Sequence, residues 1–277
     1  AQYFKDNYDQ ALSTLPLVQS NALINYVEVW VTNRSRNFNN TRDIMTYMDL
    51  GESEPYNSSW RDISQPVYPA NEANSLYSTI KGDPALQNVN TVINQFKTAY
   101  SSNKITLGDE YNTLSNARQL SPSEFTFNER LGYISLNQSL NNDEILAVSY
   151  EYTLNGRRFQ VGDLARDNPE TSNSAGNLVL KMLKSSLIKT NLPTWELMMK
   201  NIYSLGAYNL QLEDFNLQVV YADDPSGADL NYLPVKPSET GMYQKQLLSV
   251  LNLDRINRQQ EAREDGLMDL IEGLTVN

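Results

Sequence analysis

Alternation of apolar and polar residues is strongest over 24–32, where Tyr26, Glu28, Trp30 and Thr32 fall on one face of an extended chain and Val27, Val29 and Val31 on the other. This predicts a strand, closed off by the polar run that follows. Two more alternating runs, 145–152 and 157–161, flank Asn155-Gly156. That dipeptide supplies two positive φ angles at little cost and predicts a tight hairpin. Strand patterns also occur in "FTFNERLGYISLNQSL" (125–140) and "FNLQVVYAD" (215–223), the latter with Leu217, Val219 and Tyr221 on one side. "LVLKMLKSS" (178–186) fits a strand or a short helix.

The period changes between 71 and 102. Asp83-Pro84 reads as a helix start, with Asp as the N-cap and Pro at the first helical position. Leu86, Val89, Val92, Ile93, Phe96 and Tyr100 then recur every three or four residues, which predicts an amphipathic helix over 84–101. A shorter helix over 71–82 would end at Gly82. In "TWELMMKNIYSLGAY" (194–208), Thr194 can cap a helix whose inner face carries Leu197, Met198 and Ile202. The polar stretch 160–177, with Pro169 and a Ser/Asn/Gly cluster, is the best boundary. The expected fold is α+β: mainly antiparallel, sandwich-like β-sheets with a few packed helices. The expected modules are 1–165, mixed and built around the 84–101 helix, and 175–277, β-rich.

Composition narrows the chemistry. The 277 residues include no Cys and no His, which excludes thiolate chemistry, zinc sites built on those residues and a Ser-His-Asp triad. The formal charge is −11 with no basic cluster, which argues against nucleic acid and against anionic membrane surfaces as partners. No apolar run is long enough for a membrane helix, so direct insertion of this chain in a membrane is not expected. The opening "AQYFKDNYDQALSTLP" reads as a mature exported chain or an excised fragment.

Remaining candidates are few. Glu110, Glu124, Glu129, Asp143 and Glu144 could supply a glycosidase-like acid and base, but nothing in their spacing pairs them, and solvated loop acids are the simpler reading. Lys184 beside Ser185 and Ser186, and Lys200 with Ser204, have Ser-Lys spacing that is common by chance. Any metal would be hard and oxygen-held, and Asp254, Asp265, Asp269 and Glu272 around Gly266 form a loose calcium-type set. An acidic turn is the plain alternative. Trp30 and Trp60, with Trp195 and seventeen Tyr, could build a sugar platform, against the reading that the tryptophans are core. No catalytic residue is assigned.

Several blocks together carry a family likeness: "LPLVQSNALINYVEVWVTNR" and "MDLGE" (48–52), then "RQLSPSEFTFNERLGYISLNQSLNNDEILAVSYEYT" (118–153), "TWELMMKNIYSLGAYNLQLEDFNLQVVY" (194–221) and "LNLDRINRQQEAREDGLMDLIEG" (251–273). In this order they resemble the SprA (Sov-like) family of Bacteroidetes, very long outer-membrane proteins of gliding motility and type IX secretion. "RQQEARE" departs from that family's pattern before Asp265-Gly266. The resemblance implies an internal, non-catalytic soluble segment of a giant secretion barrel, at the outer membrane or cell surface, on its extracellular or periplasmic side. Its partners would be the rest of the barrel, secretion-system proteins or cargo. The alternative expectation is a β-sandwich module of a cell-surface protein that binds glycan or calcium.

Overall fold

A computed structural model describes residues 1–35, 40–64, 68–169, 177–200, 215–237 and 241–269. The chain divides into two compact units, one of Ala1–Tyr8 with Ser20–Asn201, the other of Asp9–Gln19 with Ile202–Asn277. The main division thus follows residue 201, whereas the polar stretch 160–177 suggested a boundary there. The reason is β8 (Leu178–Lys184), which lies beyond that stretch yet pairs with β2 and β6 of the first unit.

The first unit opens with the short helix α1 (Gln2–Asp6); α2 (Tyr8–Ala11) follows it in the chain. Its strands are β1 (Ala22–Val31), β2 (Thr41–Tyr47), β3 (Tyr111–Gln119), β4 (Phe125–Phe127), β5 (Ile134–Leu136), β6 (Leu146–Leu154), β7 (Arg157–Val161) and β8. The helices α3 (Leu76–Gly82) and α4 (Val92–Thr98) lie between β2 and β3, and α5 (Pro193–Glu196) follows β8. The main sheet runs β1-β3-β2-β8-β6-β7, and β1 also pairs with β6. Five strands therefore close into a small barrel, with β7 attached outside it. Every pairing is antiparallel except β2 with β8. The fold is α+β and mainly antiparallel, as the patterns predict. Instead of two stacked sheets it has one sheet closed on itself, which removes the exposed edges that a strand would otherwise present.

Closure explains why the last four residues of β1, 28–31, are buried on both faces. Trp30 joins Ile44, Leu114, Ala117, Ala147, Leu178 and Leu180 in one cluster, with residues from all five barrel strands. This is the barrel interior. The Val29 and Val31 side pack outward against Phe4, Phe125, Val148, Tyr150 and Tyr152. On the β2, β3 and β8 side, Met45, Tyr47, Tyr111 and Val179 meet Leu76 and Ile80 of α3, Val92 and Phe96 of α4, and Trp60. The β1–β3 seam is short, joining Trp30 to Gln119 and Val31 to Arg118, whereas β1 and β6 pair from Ala22↔Leu154 to Val31↔Leu146.

Local chemistry sets the helix limits. Asp83 accepts from the Ala85 amide and Pro84 follows, as expected of a start, but the result is a single 3-10 turn over Pro84–Gln87. The predicted 84–101 helix is broken, because Asn88 Oδ1 accepts from Asn90 N and Thr91 Oγ1 donates to Ala85 O. Such side-chain bonds offer the backbone an alternative to the helix. Only Val92–Thr98 then continues as α-helix. Asn155 and Gly156 both have positive φ, +50° and +77°, as the tight hairpin between β6 and β7 requires.

The second unit contains the two-stranded ribbon of β9 (Tyr221–Asp223) and β10 (Ala228–Leu230), and the helical turn α6 (Leu247–Val250). The predicted strand over 215–223 is realised only in its last three residues. Residues 202–208 of the predicted helix lie outside the described residues.

Candidate functional site

The densest charged group of the first unit is buried, and "MDLGE" builds it. The chain leaves β2 at Met48 and turns through Gly51, whose φ is +70°. A Cβ at Gly51 would stand 2.6 Å from Val161 Cγ1, so the turn admits glycine alone. The turn aims the Glu52 carboxylate at Lys181 Nζ on β8, 2.6 Å away. Lys181 also donates to Met48 O, and the Ala1 nitrogen lies 2.8 Å from the same Glu52 oxygen. Asn74 stitches the loop from above, donating to Asp49 O at 2.7 Å and Glu52 O at 2.8 Å. Asp49 accepts the Tyr56 and Asn57 amides, each at 2.9 Å.

Electrostatics follow from this packing. Burial pushes the Glu52 carboxyl up, but the Lys181 ammonium and the Ala1 amino group outweigh it and hold it at about 2. Asp49 is raised by burial, against the pull of the two amides and Lys181. A second buried carboxylate, Asp163, accepts Tyr77 OH and Lys81 Nζ at 2.7 Å each and Val179 N at 2.8 Å. Burial, then the Asp163 charge, pushes the Tyr77 phenol upward.

A third group lies along the Glu28 and Ser149 side of the barrel. Glu28 accepts Tyr26 OH at 3.3 Å and the Ala165 amide at 2.8 Å. Arg166 pairs with Glu151 at 2.6 Å and stacks 4.4 Å from the Tyr26 ring centroid. The chain from 164 to 168 is thereby tied to the barrel strands, with Arg42 of β2 donating to Asn168 O at 3.0 Å. Each buried carboxylate is engaged by a cation, a hydroxyl or backbone amides.

Of the acids considered for glycosidase work, four have their carboxylates held by neighbouring groups. Glu124 is held by Arg118 at 2.7 Å and by Ser121 N at 2.9 Å. Asp143 and Glu144 both bind Arg34. Glu110 accepts the Thr106 amide. The Glu129 carbonyl accepts from Ile24 N at 2.8 Å. Of the Ser-Lys candidates, Ser185 Oγ donates to Gly108 O. Lys184 Nζ lies among backbone carbonyls: Glu144 O at 2.6 Å, Asn142 O at 2.8 Å, Asn141 O at 3.2 Å and Ser185 O at 3.3 Å. Ser204 lies outside the described residues.

Trp30 and Trp60 are 1% and 3% exposed, which places both in the core and removes them from any surface sugar platform. The physical reason is barrel closure for Trp30 and the cover of α3 and α4 for Trp60. Trp195 lies on α5, where Lys200 Nζ stands 5.0 Å from its ring centroid.

In the second unit three of the four acids of the calcium-type set, Asp254, Asp265 and Asp269, are described, and each is turned to backbone amides. Asp254 Oδ1 accepts Asp265 N at 3.0 Å and its Oδ2 accepts Gly266 N at 2.9 Å. Asp269 accepts Arg255 N at 2.7 Å and Ile256 N at 3.2 Å. Asp265 accepts Leu267 N at 3.0 Å and Arg258 N at 3.1 Å. Glu272 lies outside the described residues. Asp254 is buried, and a shallow cleft beside it is lined by Phe215, Ile256, Arg258, Leu267 and Asp269. Burial raises the Asp269 carboxyl, opposed by its two amides. Among the described residues, no group of three or more acids is placed to hold a metal ion.

Sequence reasoning passed over Lys181, Glu52 and Asp163 as a group. One signal was present: a lysine in the apolar run "LVLKMLK" must either reach solvent or find a buried acid.

No protein-family model matches the chain, and no match is found among curated proteins. No helix among the described residues is long and apolar enough to cross a membrane.

Proposed function

We propose that the chain is a non-catalytic domain of a giant outer-membrane β-barrel protein of type IX secretion and gliding motility. There it shapes, caps or plugs the pore, or holds a partner or cargo. The observation that carries this reading is where the SprA-like blocks fall. "MDLGE" supplies the Gly51 turn and the Glu52 partner of buried Lys181. "LGYISLN" supplies Gly132, with φ +72° and a Cβ position only 2.3 Å from Phe4 Cδ1, and then β5. Both blocks hold a glycine that the backbone geometry of this chain demands.

The test is genetic. In a Bacteroidetes cell that encodes this chain, in-frame removal of its coding region should abolish both release of type IX cargo to the medium and gliding on agar. Protease treatment of whole and permeabilised cells then assigns the membrane side. Undiminished release and gliding after removal would refute the proposal.

A further inference from the structure

We infer that the closed barrel binds an internal water molecule between the Trp30 indole and the Ser149 hydroxyl. Among the described residues, three buried side-chain polar atoms lack a hydrogen-bond partner: Trp30 Nε1, Asp109 Oδ1 and Ser149 Oγ. Asp109 Oδ1 lies 2.7 Å from Lys189 Nζ, so its charge is met by an ion pair. The other two belong together. On the inner face of the barrel Trp30 stands opposite Ala147, and Glu28, two residues earlier in β1, stands opposite Ser149. Trp30 and Ser149 are therefore diagonal neighbours on adjacent strands, a separation that a large aromatic side chain spans.

Both residues are fully enclosed, at 1% and 0% exposure. The interior cluster around Trp30 includes the small side chains of Ala117 and Ala147. An indole N–H can only donate, while a hydroxyl can donate and accept. The bridging species must therefore accept from Nε1 and have hydrogen-bonding capacity left for Oγ. Water does both and is the smallest molecule that can. The Glu28 carboxylate, opposite Ser149 in register, keeps acceptor lone pairs after taking Tyr26 OH and Ala165 N. Buried waters with about three such bonds are an ordinary part of folded proteins. Two orphaned groups at diagonal positions on adjacent strands are where one is expected. This inference stands whether or not the chain serves secretion.

A crystal structure of the whole chain, at a resolution that orders solvent, decides it. The expected result is density within hydrogen-bonding distance of both Trp30 Nε1 and Ser149 Oγ; an empty map there overturns the inference. Ser149→Ala gives an independent reading through the sign of the thermal shift. If water is anchored by the hydroxyl, its loss lowers the melting temperature. If the hydroxyl is bare in the native barrel, removing it leaves the melting temperature unchanged or raises it, and the inference fails.

Discussion

Lys181 and Glu52 form a 2.6 Å ion pair between β8 and the turn after β2, with Lys181 only 1% exposed. Taking two charges out of water is expensive, and each charge makes the other tolerable. Lys181→Met should therefore destabilise the first unit by up to about 3 kcal/mol, because the Ala1 nitrogen is then the one cation left beside the buried Glu52 carboxylate. Adding Glu52→Gln to Lys181→Met should recover much of that loss. Urea unfolding of both variants checks it; equal stability of the single and double variants would show that the two charges do not depend on each other.

The same pair sets an acid dependence. The Glu52 carboxyl is held at about 2 in the folded chain and returns to 4.5 when unfolded. A depressed folded value means that its contribution is complete above 4.5 and is lost as pH falls towards 2. The loss amounts to about 3 kcal/mol. Asp49 acts in the opposite sense, since burial raises it and acidification relieves a cost. The net expectation is a urea midpoint that falls between pH 5 and 2 in the native chain. In Lys181→Met that fall should be smaller, because the largest of the charges that lower the Glu52 carboxyl is gone and only the Ala1 nitrogen still favours its ionised form. Parallel acid profiles for the two proteins would contradict the assignment.

The elements whose causes are local were legible in the sequence. The Asn155-Gly156 hairpin, the strand parity of 26–32 and the end of α3 at Gly82 depend on a few adjacent residues. Barrel closure does not. β2 pairs with β8 across more than a hundred residues, from Ile44↔Leu178 to Tyr47↔Lys181, and no periodicity encodes that partner. The alternation in β1 suggested one wet face, yet Trp30 and Glu28 turn into an enclosed interior. The broken helix at 88–91 shows local competition: its apolar spacing favoured helix, while Asn88 and Thr91 bonded to nearby backbone. Asp254, Asp265 and Asp269 share the acidic loop, but their carboxylates face amides, and side-chain direction is not a property of spacing.

Gly132 packs directly on Phe4, so its lack of a side chain is required twice. Its φ is +72°, and a Cβ would approach Phe4 Cδ1 to 2.3 Å. Gly156 has a similar φ of +77° but open space around it. Gly156→Ala should cost about 1–2 kcal/mol from backbone strain alone. Gly132→Ala should cost about 2–4 kcal/mol, strain and overpacking together. Combining Gly132→Ala with Phe4→Ala separates the two terms: the steric part should vanish in the pair, and additive losses would show that the ring is not the obstacle.

Lys184 acts as a tethered cation for the loop before β6. Its ammonium lies within 3.3 Å of four backbone carbonyls, those of Asn141, Asn142, Glu144 and Ser185. Burial lowers the Lys184 ammonium, and Glu144 and Asp143 counter it. Lys184→Met keeps the stem but removes the ammonium from these carbonyls, of which Asn141 O also accepts the Glu144 amide, and should cost about 1–3 kcal/mol. Lys184→Arg should not restore stability, since a planar fork does not match a ring of carbonyls around one point. Hydrogen exchange gives the local test. The Ile145 amide, bonded to Thr32 Oγ1 at 3.0 Å, should exchange faster in both variants; unchanged protection there would show that Arg34 alone holds the loop.

Asp254 organises the acidic loop of the second unit by accepting two consecutive amides, Asp265 N and Gly266 N. A carboxylate oxygen that already holds an amide proton is a poorer cation ligand, and Asp265 and Asp269 are similarly engaged. Asp254→Ala should therefore destabilise the second unit by about 2–4 kcal/mol, as two charge-assisted bonds are lost. Asp254→Asn, which keeps one acceptor oxygen, should lose roughly half as much. For the same reason the melting temperature of the native chain should be indifferent to calcium and to chelator. A ligand that binds only the folded state must raise that temperature as its concentration exceeds its dissociation constant. A calcium-dependent rise that disappears in Asp254→Ala and Asp265→Ala would make this loop a calcium site and reverse the reading of its carboxylates as amide acceptors.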